Sequence, residues 1–204
     1  MDYKKIIAFA QSAKVDYAHN FDHVLRVYRN AMRIAQGHPE ADMEVLRTAV
    51  LLHDVGRADL TVAHAKKGAV IARDWLVQNG CSEVFAEKVA RVISAHSDKD
   101  EASGAGIEGE ILWDADKLEM TGAVGAMRAM LYCEEVGLPI RAASGAEAVM
   151  PGPKDLIEQF IEDQGIAAGG FHTKEAAAMA RERIAFGKQI IEHLREETAE
   201  EEII

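Results

Sequence analysis

Apolar residues recur at intervals of three and four along almost the whole chain, as in Phe21, Val24, Leu25, Tyr28, Met32 and Ala35. No run alternates β-branched with polar positions, so strands are not expected. The periodicity predicts an all-α fold with helices near 3–13, 20–36, 41–54, 62–79, 82–97, 109–136, 154–163 and 174–197. Gly80, the stretch Ala102-Ser-Gly-Ala-Gly-Ile107 and the segment from Gly165 to Gly170 punctuate these helices, while Pro151-Gly-Pro153 closes a loop over about 137–153. That loop is the expected mobile cover of a site. The expectation is one compact helical bundle, a single domain over 1–204, with its core at about 20–130 and C-terminal helices 154–197 packing on it.

Composition narrows the setting. The chain has 204 residues, 49% of them hydrophobic, and a formal net charge of −11. Such a balance disfavours nucleic acids as partners, because binding them needs many Lys and Arg contacts to phosphate. A small anionic substrate stays compatible if a cation and a few local bases reverse the field inside one pocket. Much of the negative excess lies in Glu196-Glu-Thr-Ala-Glu-Glu-Glu202, which reads as a solvated helix end. Cys81 and Cys133 have no metal-ribbon spacing, so neither a disulfide framework nor a thiolate site is indicated. A soluble protein of the reducing cytoplasm is expected, with no secretory signal and no membrane span.

Against this apolar background a few polar residues stand out. His53 and Asp54 follow directly on an apolar helical run in Ala49-Val-Leu-Leu-His-Asp-Val-Gly-Arg57, and burying that pair is costly unless something such as a metal ion satisfies it. His23 opens the second predicted helix, His64 begins another, and His96 shares a face with Phe85, Val89, Val92 and Ile93. Each histidine alone reads as structural; the set is what points to a metal. Asp114 and Asp116 interrupt the apolar helix in Ile111-Leu-Trp-Asp-Ala-Asp-Lys-Leu118, and spacing does not choose between them.

These residues resemble the HD-domain metal-dependent phosphohydrolase superfamily, whose pattern runs His … His-Asp … Asp on successive helices. The resemblance rests on His23 in His-x-x-Arg-Val, His53-Asp54 in Leu-Leu-His-Asp-Val-Gly and Asp116 in Asp-Ala-Asp-Lys-Leu, and it covers roughly 20–130. The segment from Thr173 to Ile184 looks like the C-terminal helix of bacterial small-nucleotide pyrophosphohydrolases of this type. Carried over, the resemblance implies a divalent ion (Mn, Fe, Co, Ni, Mg or Zn) held by His23, His53, Asp54 and Asp116, leaving Asp114 on the helix face or behind the ligands. His64 and His96 resemble the further histidines of members that hold two ions; with one ion they would line the phosphate pocket instead, where an imidazolium can donate to phosphate oxygen.

The implied activity is hydrolysis of a phosphate ester or anhydride of a small substrate, a nucleotide above all, through metal-activated water. Asp54, Arg57 and Lys117 are the expected catalytic residues. His19, Lys66, His64 and His96 are the expected substrate contacts, and a homo-oligomer is compatible with this reading. Some relatives carry Glu three residues after the Asp of His-Asp; here that position is Arg57, which removes the carboxylate base from it. Two alternatives keep the same residues: a di-iron oxygenase of the superfamily, and a non-catalytic sensor that binds a nucleotide.

Overall fold

A computed structural model describes residues 1–13, 19–57, 64–142 and 153–199, and among these every regular element is helical. In chain order the α-helices are α1 (Tyr3–Ser12), α2 (Phe21–Ile34), α3 (Met43–Leu52), α4 (His64–Gln78), α5 (Glu83–Ala95), α6 (Lys99–Gly104), α7 (Ile107–Lys117), α8 (Gly122–Val136), α9 (Leu156–Ala168) and α10 (Lys174–Glu197). Short 3₁₀ turns follow α2 and α7. No helix among the described residues is long and apolar enough to cross a membrane.

Side-chain caps explain several helix starts. Asp2, Asn20, Asp42, Ser82 and Asp98 each accept hydrogen bonds from backbone N–H groups of the turn that follows. The chain divides into two compact units: Met1–Asp116 with His172–Ala176, and Lys117–Phe171 with Ala177–Ile204. In the first, α4 and α5 form the most extensive helix pair, and α3 packs on α5, α2 and α1. Val27, Ile34, Leu46, Leu52, Ile93 and Leu112 lie at its centre. In the second, Phe160 is the largest buried side chain and packs in a cluster with Ala126, Ala129, Cys133, Leu156, Ile157 and Ile191.

Three boundaries differ from the periodic reading. The single helix expected over 109–136 is two, because the chain tightens into 3₁₀ form at Leu118–Met120, Thr121 turns extended and Gly122 takes φ +66°, a left-handed conformation that favours glycine. The 99–108 stretch, expected as a loop from its small residues, contains α6, which Asp98 caps. Helix α9 runs through Gly165 to Ala168, where an added Cβ would meet nothing and the glycine costs only its propensity, about 1 kcal/mol. Most of the loop expected over 137–153 lies outside the described residues.

Candidate metal centre

The cluster is built largely at helix ends. His53 occupies the C-cap of α3 and His96 the C-cap of α5. In each, imidazole Nδ1 meets a helix carbonyl three residues back: Val50 O at 2.8 Å and Ile93 O at 2.7 Å. A carbonyl only accepts, so Nδ1 must carry the proton, and in the neutral ring Nε2 is left with its lone pair facing inward. One short device thus gives a C-terminal helix carbonyl a side-chain donor and sets a ligand tautomer.

The remaining members arrive from three further helices. His23 lies in the first turn of α2, where Asn20 caps its backbone N–H. Asp116 is the penultimate residue of α7, held beside α2 by Asn30, whose side-chain amide donates to Ala115 O at 3.2 Å. His64 is the first residue of α4. It comes close because the turn after Asp54 packs directly on α4: a Cβ placed on Gly56 would stand 2.3 Å from Gly68 N and 2.5 Å from His64 O. Only glycine allows that approach.

Asp54 is the common element. Its Oδ2 lies 3.3 Å from His53 Nε2 and 3.6 Å from His23 Nε2, while its Oδ1 lies 3.8 Å from His96 Nε2 and 4.0 Å from His64 Nε2. His23 Nε2 is also 3.3 Å from Asp116 Oδ1. The donors fall into two groups whose ligand atoms lie within 4.8 Å of one another: His23, His53 and Asp116, and Asp54, His64 and His96. His23 and His53 are wholly buried, and His96 and Asp54 nearly so. Buried His53 Nε2 and Asp54 Oδ2 make no hydrogen bond of sound geometry, although they are neighbours. Converging imidazole nitrogens and carboxylate oxygens of this kind fit a divalent cation, which would satisfy atoms that the protein itself does not.

The groups of the cluster shift one another's ionisation. Burial opposes ionisation of Asp54, but the charges of His53 and His23 outweigh it and hold the carboxyl well below the usual range. Burial likewise opposes protonation of His53, and the carboxylates of Asp54 and Asp116 reverse the balance and raise it. His96 differs: burial and the neighbouring His53 lower it to about 3. The neutral ring this favours is the form suited to ligation.

The other expected site residues divide by position. Arg57 joins the cluster, its Nη1 3.9 Å from Asp54 Oδ1 and 3.3 Å from His64 Nε2. His19 stacks edge-on to His23 with centroids 5.4 Å apart. Lys117 ends α7 directly after Asp116 and is half-buried. Lys66 is not brought to the cluster: it is 70% exposed, and its ammonium lies 3.4 Å from Glu101. Asp114 faces the start of α10, accepting from His172 N, Thr173 N and Thr173 Oγ1 at 2.7–2.9 Å. Burial raises its carboxyl, and these three donors work against that rise. Sequence reasoning missed Gly56, Gly68 and Asn30. A glycine inside the α4 pattern was the available signal of close backbone approach.

Similar proteins share this arrangement of helices. The HD domain family model matches residues 20–121, half of the chain. YpgQ of Bacillus subtilis (strain 168) is 31% identical over 141 residues, 66% of this chain and 67% of that protein. The crystal structure of YpgQ in complex with ADP aligns with a TM-score of 0.74 at 24% identity, covering 96% of this chain and 94% of that one. A Lactobacillus plantarum protein aligns with a TM-score of 0.74 at 26% identity over 95% of both chains. A protein from an uncultured Thermotogales bacterium, named a predicted HD superfamily hydrolase, aligns at 0.62 with 28% identity over 95% and 89%.

Proposed function

The chain belongs to the HD-domain family, and from that premise we propose that the Asp54 cluster is the centre of a metal-dependent phosphohydrolase acting on a nucleotide. The observation that carries the reading is the Asp54 carboxylate set between two groups of donors, one oxygen toward each. His23, His53, Asp54 and Asp116 would hold the ion, and His64 and His96 would complete a second position with Asp54 between. A divalent ion supplies, when bound, Lewis acidity toward water and toward a phosphoryl oxygen.

The chain's own residues do the rest. The Nδ1–carbonyl bonds of His53 and His96 hold both rings in one orientation, which removes reorganisation from the reaction. Arg57 offers a guanidinium beside the cluster for charge that develops on the phosphoryl group, and Lys117 is a further cation next in sequence to Asp116. With Arg57 at the position where some relatives carry Glu, no carboxylate stands there as a base. The Thermotogales protein named a predicted HD superfamily hydrolase supports a hydrolytic reaction, and the ADP complex of YpgQ, a relative 31% identical, supports a nucleotide as the ligand.

The test is to strip metal with a chelator and assay a nucleotide panel after adding back Mn²⁺, Co²⁺, Ni²⁺ or Mg²⁺. Phosphate or pyrophosphate release that depends on the added ion is expected. Undiminished hydrolysis by the stripped protein would overturn metal dependence, and tight nucleotide binding without turnover under any ion would favour a sensor. Two irons per chain with O₂ consumption and no phosphate release would favour an oxygenase.

A further inference from the structure

A cavity of about 170 Å³ adjoins the metal centre within the first unit. Asp54 and His19 line it, and the ends of α1 and α2 enclose it with Ala10, Ala13, Phe21 and Val24. A larger cavity of about 460 Å³, between α1, α4 and α5, shares no residue with the cluster. The smaller one meets the cluster at Asp54.

Its character identifies its occupant. Among the described lining residues there is no Lys or Arg, and Asp54 and His19 are the only ionisable ones. The walls are apolar or aromatic, and Gln11 and Asn20 add neutral amides. The volume is close to that of an engineered cavity of about 150 Å³ that takes a benzene ring, and far below the roughly 300–1,000 Å³ of sites that enclose a whole ligand. One planar ring system fits, with the remainder of the molecule outside. Ala10 and Ala13 leave the space open by their small size.

We infer that this slot receives the base ring of the substrate while the phosphates face the Asp54 cluster, so that Ala10, Ala13, Phe21 and His19 determine substrate recognition. The inference rests on the phosphohydrolase reading for the position of the phosphates. A flat, neutral heteroaromatic ring satisfies both the apolar walls and the amides, and Phe21 offers an aromatic surface for it.

The test compares ligands with and without a base. The protein in Mn²⁺ is titrated calorimetrically with ADP and, separately, with inorganic pyrophosphate. Ala10→Leu narrows the slot from α1, and Ala13→Leu narrows it from the extended residue just past that helix, where the helix itself is undisturbed. Each is expected to reduce the preference for ADP over pyrophosphate at least tenfold, with an unchanged helical spectrum. A preference that stays within twofold of the unsubstituted protein in both variants would overturn the slot, as would equal affinity of the unsubstituted protein for the two ligands. Turnover is read apart from binding. Loss of preference in a protein that hydrolyses no nucleotide under any ion would sink the phosphohydrolase reading and leave the slot standing.

Discussion

At the scale of single residues, the centre depends on groups that only function in fixed orientations. His53 and His96 are held by backbone carbonyls that sequence position alone supplies, since a residue after an apolar helix end finds such a carbonyl three residues back. Arg57 is a different case, a cation three residues after Asp54 that reaches both Asp54 and His64. Arg57→Ala is expected to lower kcat by about 10²–10³, the usual cost of one charge-stabilising donor, with metal content measured by elemental analysis unchanged. Loss of metal in that variant would move Arg57 from catalysis to support of the ligands.

Asp163, in the second unit, makes a separate residue-scale prediction. Burial pushes its carboxyl up to about 6, although Gln159 donates to it at 2.9 Å and Arg128 opposes the rise. A carboxyl raised in the folded state contributes stability that is fully present below its unfolded pKa of about 3.9 and is lost as pH climbs through about 6. Asp163→Asn keeps an acceptor for Gln159 and removes the titration. Its melting temperature relative to the unsubstituted protein is expected to rise between pH 4 and pH 7 and then level off, with a gain of about 1–2 kcal/mol at neutral pH. A difference that does not vary with pH would contradict the assignment.

At the scale of elements, His23, His53, Asp54 and the pair Asp114 and Asp116 stood out in the sequence as polar positions within apolar helical patterns. Spacing did not choose between the aspartates; the resemblance to HD domains did. Asp114 and Asp116 have equivalent spacing, and what separates them is tertiary: Asp114 is taken by the backbone N–H groups that open α10, whereas Asp116 lies 3.3 Å from His23. The break between α7 and α8 was likewise hidden, since Thr121-Gly122 sits inside an uninterrupted apolar period and only the 3₁₀ tightening reveals it. Gly56 is the element-scale residue with the sharpest consequence. Gly56→Ala must push the His53-Asp54 turn away from α4, because the added carbon would meet backbone at 2.3 Å. A loss of about 1–3 kcal/mol in denaturant unfolding is expected, together with weaker Mn²⁺ binding; a variant with unchanged stability and metal affinity would show that the close approach to α4 is dispensable.

For the whole molecule, the net charge of −11 and the chemistry of the site belong together. An acidic chain repels phosphates over most of its surface, so under the proposed function an anionic substrate would be held where a bound cation and Arg57 reverse the local field. Every ligand position of the proposed centre falls within the first compact unit, although the histidines and aspartates that form it are spread over more than ninety residues of sequence. Periodicity carried the class of fold, since period alone separates helix from strand; which helix ends meet is decided by packing that no local pattern encodes.

The central claim is that metal at the Asp54 cluster and phosphate hydrolysis are one property. Metal-stripped protein titrated with Mn²⁺, with bound metal and nucleotide hydrolysis measured on the same samples, tests it most directly. Hydrolysis should rise from background in step with bound metal and saturate at one or two ions per chain, and His53→Ala with Asp54→Ala should abolish both. Hydrolysis without bound metal, or full metal uptake by the doubly substituted protein, would contradict it.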